Sequence, residues 1–122
     1  MTNTEIVQAF VAAWEARSLE GVMALMTDDA RWLNVGLPES VGAEAIRKAV
    51  APFIAGATMV RWEVHHIAET KDGVVLTERT DIFDMGGKTL KAPVMGVFEL
   101  RDGKIFAWRD YFDLPGFQKQ MT

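Results

Sequence analysis

The stretch "VVLTERTDIFDMGGKTLKAPVMGVFELRDGKIFAWRDYFDL", residues 74–114, decides how this chain folds. It divides at "GG" and "RDG", both hairpin signals, into three runs rich in β-branched and aromatic residues. Upstream, "TMVRWEVHHIAET" is a fourth such run, joined to the others through "KDG". Four runs with tight turns between them predict four consecutive antiparallel strands. Gly96, inside the second of the three runs of the quoted segment, is expected to mark a bend or a bulge.

The chain before this block has a different period. Ile6, Val7, Phe10, Val11 and Trp14 recur at helical spacing behind the capping candidates Thr2, Asn3 and Thr4, predicting a helix to about Arg17. Leu19, Val22, Met23 and Met26 predict a short second helix opened by Ser18. "TDDA" reads as a turn, with Asp28 and Asp29 at its centre, leading into a short strand "RWLNV". "GLPES" is a loop, and "AEAIRKAVAPFI" is a third helix that Pro52 is expected to bend or shorten. Helices gathered before a meander of strands predict an α+β fold of one domain over residues 1–122. Strands this long must curl over three N-terminal helices, so a strongly curved, mostly antiparallel sheet around a cone-shaped pocket is expected.

Composition narrows the function classes. A net charge of −4 supplies no basic patch for nucleic acid. The absence of cysteine removes disulfides, thiolate metal sites and cysteine nucleophiles. No apolar run is long enough to span a bilayer, and "MTNTEIVQAF" lacks a basic leader followed by an apolar segment, so a cytoplasmic protein is expected. His65 and His66 are adjacent in a strand and are expected to point to opposite faces, which would keep them from sharing a metal ion. Glu99 reads as a solvated strand residue. The seven methionines and four tryptophans read mainly as core, with Met23, Met26, Met95 and Trp32 as candidates for a pocket wall.

The chemistry concentrates in charges at unexpected positions. In "FAWRDYFD", strand parity puts Asp110 on one face with Phe106, Trp108 and Phe112. If that face is interior, a lone carboxylate would cost several kcal/mol or take up a proton. It therefore requires an arginine or other donors. Arg79 and Asp81 share a face of "VVLTERTDIFDM" with Phe83. Taken alone, that Arg-x-Asp also reads as a solvated surface pair contributing about 0–1 kcal/mol. If the two strands approach, one guanidinium could bridge Asp81 and Asp110 at the base of an apolar pocket. Such a unit can divide one proton between its carboxyls, one acting as acid and the other as base. Asn34 is either a turn residue or an amide that holds water in the same pocket.

"WLN", "RTD" and, above all, "GVFEL…GKI…WRDYFDL" resemble the limonene-1,2-epoxide hydrolase family, with elements in the same order along nearly the whole chain. The resemblance implies a nuclear-transport-factor-2-like fold and hydrolysis of an epoxide to a vicinal diol. It implies Asp110 as the general base on water, Asp81 as the general acid on the epoxide oxygen, Arg79 as the bridge and Asn34 as a water-holding amide. Trp32 stands where the family has a second water-holding group, a tyrosine, and an indole offers one donor and no acceptor. Phe83, Trp108, Phe112, Trp32 and the three methionines named above are then the expected wall for a small hydrophobic substrate, cyclic or terpenoid-like. No metal or organic cofactor is called for, and a homodimer is expected by resemblance. Related folds also host polyketide cyclases and ketosteroid isomerases with an aspartate base, and a pocket that only binds an apolar ligand is a third possibility. The single tyrosine, Tyr111, has the wrong parity to serve Asp110 as an oxyanion donor.

Overall fold

The structure, a computed structural model, describes residues 1–122. Helix α1 (Asn3–Glu15) begins with a capping box in which the Glu5 amide donates to the Thr2 hydroxyl (3.1 Å) and the Thr2 amide donates to the Glu5 carboxylate (2.8 Å). Its buried stripe is Ile6, Val7, Phe10, Val11 and Trp14. Ser18 caps α2 (Leu19–Ala24), as its sequence position suggests. Strand β1 (Met26–Asn34) and the two-residue β2 (Ser40–Val41) follow, then α3 (Ala43–Gly56). Strands β3 (Ala57–Glu69), β4 (Val75–Met85), β5 (Lys88–Arg101) and β6 (Lys104–Phe112) form the meander, and α4 (Leu114–Gln120) closes the chain.

Several details differ from the sequence reading. "TDDA" is no turn: Thr27 to Ala30 lie within β1, where the pairing with β6 shifts register between Met26 and Arg31. That irregularity absorbs the two aspartates at a place where they remain exposed. Pro52 does not end α3, which continues to Gly56; a proline lacks the N–H for one helical bond without forbidding the rest. The short strand β2 and helix α4 carry too few patterned residues to announce themselves.

All six strands form one sheet in the order β2-β1-β6-β5-β4-β3, antiparallel except for the β1–β6 pair. The architecture is thus α+β, with the helices against one face of a mixed, mostly antiparallel sheet. Two consequences of register position the site. Thr77, Gly96, Asp110 and Asn34 are successive partners across β4, β5, β6 and β1, so they lie in one row. Arg79 lies one step along β4, opposite Val94, and Asp81 one step further, opposite Ala92 and Trp62. All of these inward side chains share a face because strand side chains repeat every two residues.

Helix α4 is fastened by a side chain that imitates a strand. Strand β6 ends at Phe112, opposite Val94, which leaves Lys91 on β5 without a β6 partner. The Lys91 amide donates to Gln120 Oε1, and Gln120 Nε2 donates to the Lys91 carbonyl, both at 2.8 Å. The docked helix places Phe117 against Phe83 and Phe112.

Candidate active site

The inner face of the sheet and helices α1, α3 and α4 enclose a cavity of about 60 Å³. All four tryptophans of the chain, Trp14, Trp32, Trp62 and Trp108, stand in its wall. Phe53, Phe83, Phe112 and Phe117 continue the aromatic lining, Ala92 and Val94 contribute from β5, and the polar groups are Asn34, Asp81 and Asp110.

Arg79 organises the polar end. It is 1% exposed, and its guanidinium lies 4.2 Å from the centre of the Trp62 ring. Nε and Nη2 donate to the two oxygens of Asp81 at 2.7 and 3.1 Å, and Nη2 also donates to Asp110 Oδ2 at 2.7 Å. Nη1 donates to the Thr77 hydroxyl at 3.0 Å. The second oxygen of Asp110 accepts the indole N–H of Trp108 at 2.9 Å. Asp81 and Asp110 are 5% and 4% exposed, which excludes the reading of Arg79–Asp81 as a solvated surface pair.

Reaching from β4 to β6, the guanidinium crosses β5 at Gly96. A methyl group there would overlap Arg79 Nη1 and come within 2.9 Å of both Asp110 Oδ1 and Thr77 Oγ1. Gly96 is therefore not a bulge: its pairing with Thr77 and Asp110 is regular, and the register shift of this strand pair falls at Glu99–Leu100. The residue is glycine because a side chain from the next strand occupies the space of its Cβ.

The electrostatics favour one proton on the pair of carboxyls. Burial pushes Asp81 up to about 6 against the pull of the Arg79 charge. Burial likewise raises Asp110, opposed by Arg79 and the Trp108 N–H. Burial also works against the charge on Arg79, but the two carboxylates together outweigh it and hold the guanidinium protonated. With one proton shared, the three groups sum to zero charge, the state that costs least to keep from water.

Of the residues expected at a pocket, Trp32, Asn34, Asp81, Phe83, Trp108, Asp110 and Phe112 line the cavity, with Arg79 behind the carboxyls. Trp32 stacks on Trp108 with ring centres 4.5 Å apart, and its N–H has no partner. Three methionines are corrections. Met23 is buried where α2 packs on α1, α3 and β1, away from the cavity. Met26 begins β1, eight residues before Asn34, which in an extended chain is about 25 Å away. Met95 is half-exposed on the outer face, because its inward neighbours on β5 are Val94 and Gly96. His65 and His66 are a fourth correction. A register shift at Val64–His66 turns both outward, His65 to Thr80 and His66 to Glu78, rather than to opposite faces. Glu99 pairs with Arg109 at 2.6 Å, and Tyr111 is 47% exposed on the outer face.

Sequence reasoning missed Trp14, Trp62, Phe53 and Phe117 as lining, and Thr77 and Gly96 as supports. Trp14 sits on the apolar stripe of α1, and a tryptophan on such a stripe is indistinguishable from core until the helix is docked. Gly96 did carry a signal: a glycine amid β-branched residues marks a close approach as readily as a bulge.

The catalytic-domain family of limonene-1,2-epoxide hydrolase matches residues 1–122. "Epoxide hydrolase EphG" of Mycobacterium tuberculosis is 36% identical over 109 residues, covering 88% of this chain and 71% of that protein. The solved structure of an M. tuberculosis LEH-like epoxide hydrolase superposes with a TM-score of 0.84 at 31% identity, covering 97% of this chain and 87% of the other. An NTF2-like protein of unknown function from Burkholderia pseudomallei shares the fold alone, with a TM-score of 0.87 at 18% identity over 100% of this chain and 99% of the other. The chain has the NTF2-like fold, belongs to the limonene-1,2-epoxide hydrolase family and is an epoxide hydrolase of that type.

Proposed function

We propose that the protein adds water to a small hydrophobic epoxide in one step, giving a vicinal diol, through Asp110, Arg79 and Asp81. The observation that carries this reading is a pair of buried carboxyls joined by one guanidinium at the wall of an aromatic cavity. Asn34 is the β1 partner of Asp110, so water held by the Asn34 amide lies beside that carboxylate. Asp110, ionised, takes a proton from the water as its oxygen attacks a ring carbon. The carbon–oxygen bond breaks, and Asp81, protonated, delivers its proton to the departing oxygen. Asp110 ends protonated and Asp81 ionised, and proton exchange through solvent restores the starting state. Arg79 fixes the two carboxyls and stays charged throughout. The scheme draws on no metal or organic cofactor.

Each proton transfer contributes about 10²–10⁴-fold. Asp110→Asn and Asp81→Asn are each expected to lower diol formation by at least about 10²-fold while leaving the protein folded. Wild-type rates from both variants would refute the assignment. We further propose a homodimer through the outer sheet face, where Met95 and Tyr111 are exposed; equilibrium sedimentation at the mass of one chain would exclude it.

A further inference from the structure

We propose that the site takes epoxides whose ring carries little bulk, terminal or short-chain ones, and turns away ring-fused and terpenoid epoxides. The inference rests on the epoxide-hydrolase reading and adds the class of substrate. An apolar cavity of about 150 Å³ takes one benzene ring. The cavity here is about 60 Å³, less than half of that. In proportion, it has room for about two to three non-hydrogen atoms, little more than the three-membered ring itself, so substituents must lie toward the opening.

The walls that set this size are held by one another. Trp108 lies between Trp32, at 4.5 Å and 10°, and Phe98, at 6.1 Å and 13°. Phe10 meets the edge of Trp108 at 5.0 Å, and Trp14 stacks on Trp62 at 5.1 Å. Trp62 is also held by the guanidinium of Arg79. Admitting a bulky ring to the level of Asp81 and Asp110 requires separating these pairs, and interiors packed in this way yield by rearrangement rather than by smooth expansion. The other end is looser. Phe53 and Phe112 are half-buried at the mouth. An unbranched tail can leave along them, so chain length is tolerated where bulk at the ring is not.

The test compares 1,2-epoxybutane, 1,2-epoxyhexane, cyclohexene oxide and limonene 1,2-epoxide, with each kcat/KM divided by the uncatalysed rate of the same compound. Both terminal epoxides are expected to exceed limonene 1,2-epoxide by at least about tenfold, the scale on which a filled pocket discriminates. Phe53→Ala, which removes a ring from the mouth, is expected to narrow that gap severalfold; Phe53→Leu serves if the alanine variant does not fold. Limonene 1,2-epoxide equal to or better than the terminal epoxides in the wild type overturns the proposal. Should the wild type open none of the four, the hydrolase reading fails, and size selection is read by binding instead. Tetrahydrofuran and 1,8-cineole are unreactive ethers of different bulk, and all four tryptophans report on the cavity. A saturable fluorescence change with tetrahydrofuran and none with 1,8-cineole supports the small cavity. Binding of 1,8-cineole at equal or lower concentration overturns it.

Discussion

Gly96→Ala adds one methyl group to the inner face of β5 and should disable the site. The new carbon would overlap Arg79 Nη1 and crowd Asp110 Oδ1 and Thr77 Oγ1 at 2.9 Å. None of these neighbours is the free end of a flexible surface chain. Arg79 is fixed by four N–H bonds and by the Trp62 ring, and Asp110 by Arg79 and Trp108. Relief therefore comes from displacing the guanidinium or from separating β5 from its neighbours. Overpacking of this kind costs about 1–3 kcal/mol when bonds survive, and breaking a buried pair costs about 3–5 kcal/mol. A loss of about 3 kcal/mol is the expected middle, which for a chain of this length lowers Tm by about 10–15 °C. Activity should fall further than stability implies, because a carboxyl moved by an ångström loses most of its proton-transfer advantage, about 10²-fold or more. Urea unfolding and diol formation on the same preparation measure both effects. A Gly96→Ala protein with wild-type rate and stability would refute the claim that Arg79 fills the space above this residue. Gly96→Ser, bulkier still, should be worse.

Other consequences concern protons. Asp81 holds its proton more tightly folded, near 6, than unfolded, near 4, so the folded state binds more protons between those values. The stability from this group is complete below about pH 4 and is lost as pH rises through about 6. Asp81→Asn should remove that dependence, so that the stability difference between variant and wild type moves in the variant's favour as pH rises through about 6 in denaturant titrations across pH. For the rate, protonating both carboxyls removes the base and ionising both removes the acid. The profile of kcat/KM should therefore be a bell whose two limbs belong to the pair. Trp108→Phe keeps a ring in the stack but leaves Asp110 Oδ1 without its donor, which raises Asp110 and should move the acid limb to higher pH. An unmoved limb would show that the indole N–H has no influence on the base.

How much of this was legible in the chain differs between local and non-local features. The meander was readable because each of its turns is marked by glycine and each strand by β-branched residues. Asp110 stood out because parity alone places it among aromatic rings. Its connection to Arg79 depended on which strands are neighbours, and a meander makes β4, β5 and β6 consecutive, so that inference had a physical basis too. The misses share a different cause. Asp28 and Asp29 look like a turn because the irregular pairing with β6 lets a strand carry them. The two histidines were misassigned because a single register shift overturns parity. Met23 and Trp14 both sit on apolar helix faces, and only docking decides that the tryptophan meets the cavity and the methionine does not. Thr77 looks like an ordinary strand threonine until the guanidinium arrives from two residues along the same strand.

The most direct test of the central claim is a single turnover with enzyme in excess over 1,2-epoxybutane in ¹⁸O-labelled water. If Asp110 activates water for direct attack, the first diol formed carries the label, and Asp110→Asn forms none on the same timescale. If a carboxylate attacks the ring itself, the first diol instead takes its new oxygen from the protein and emerges unlabelled. That result would contradict the account.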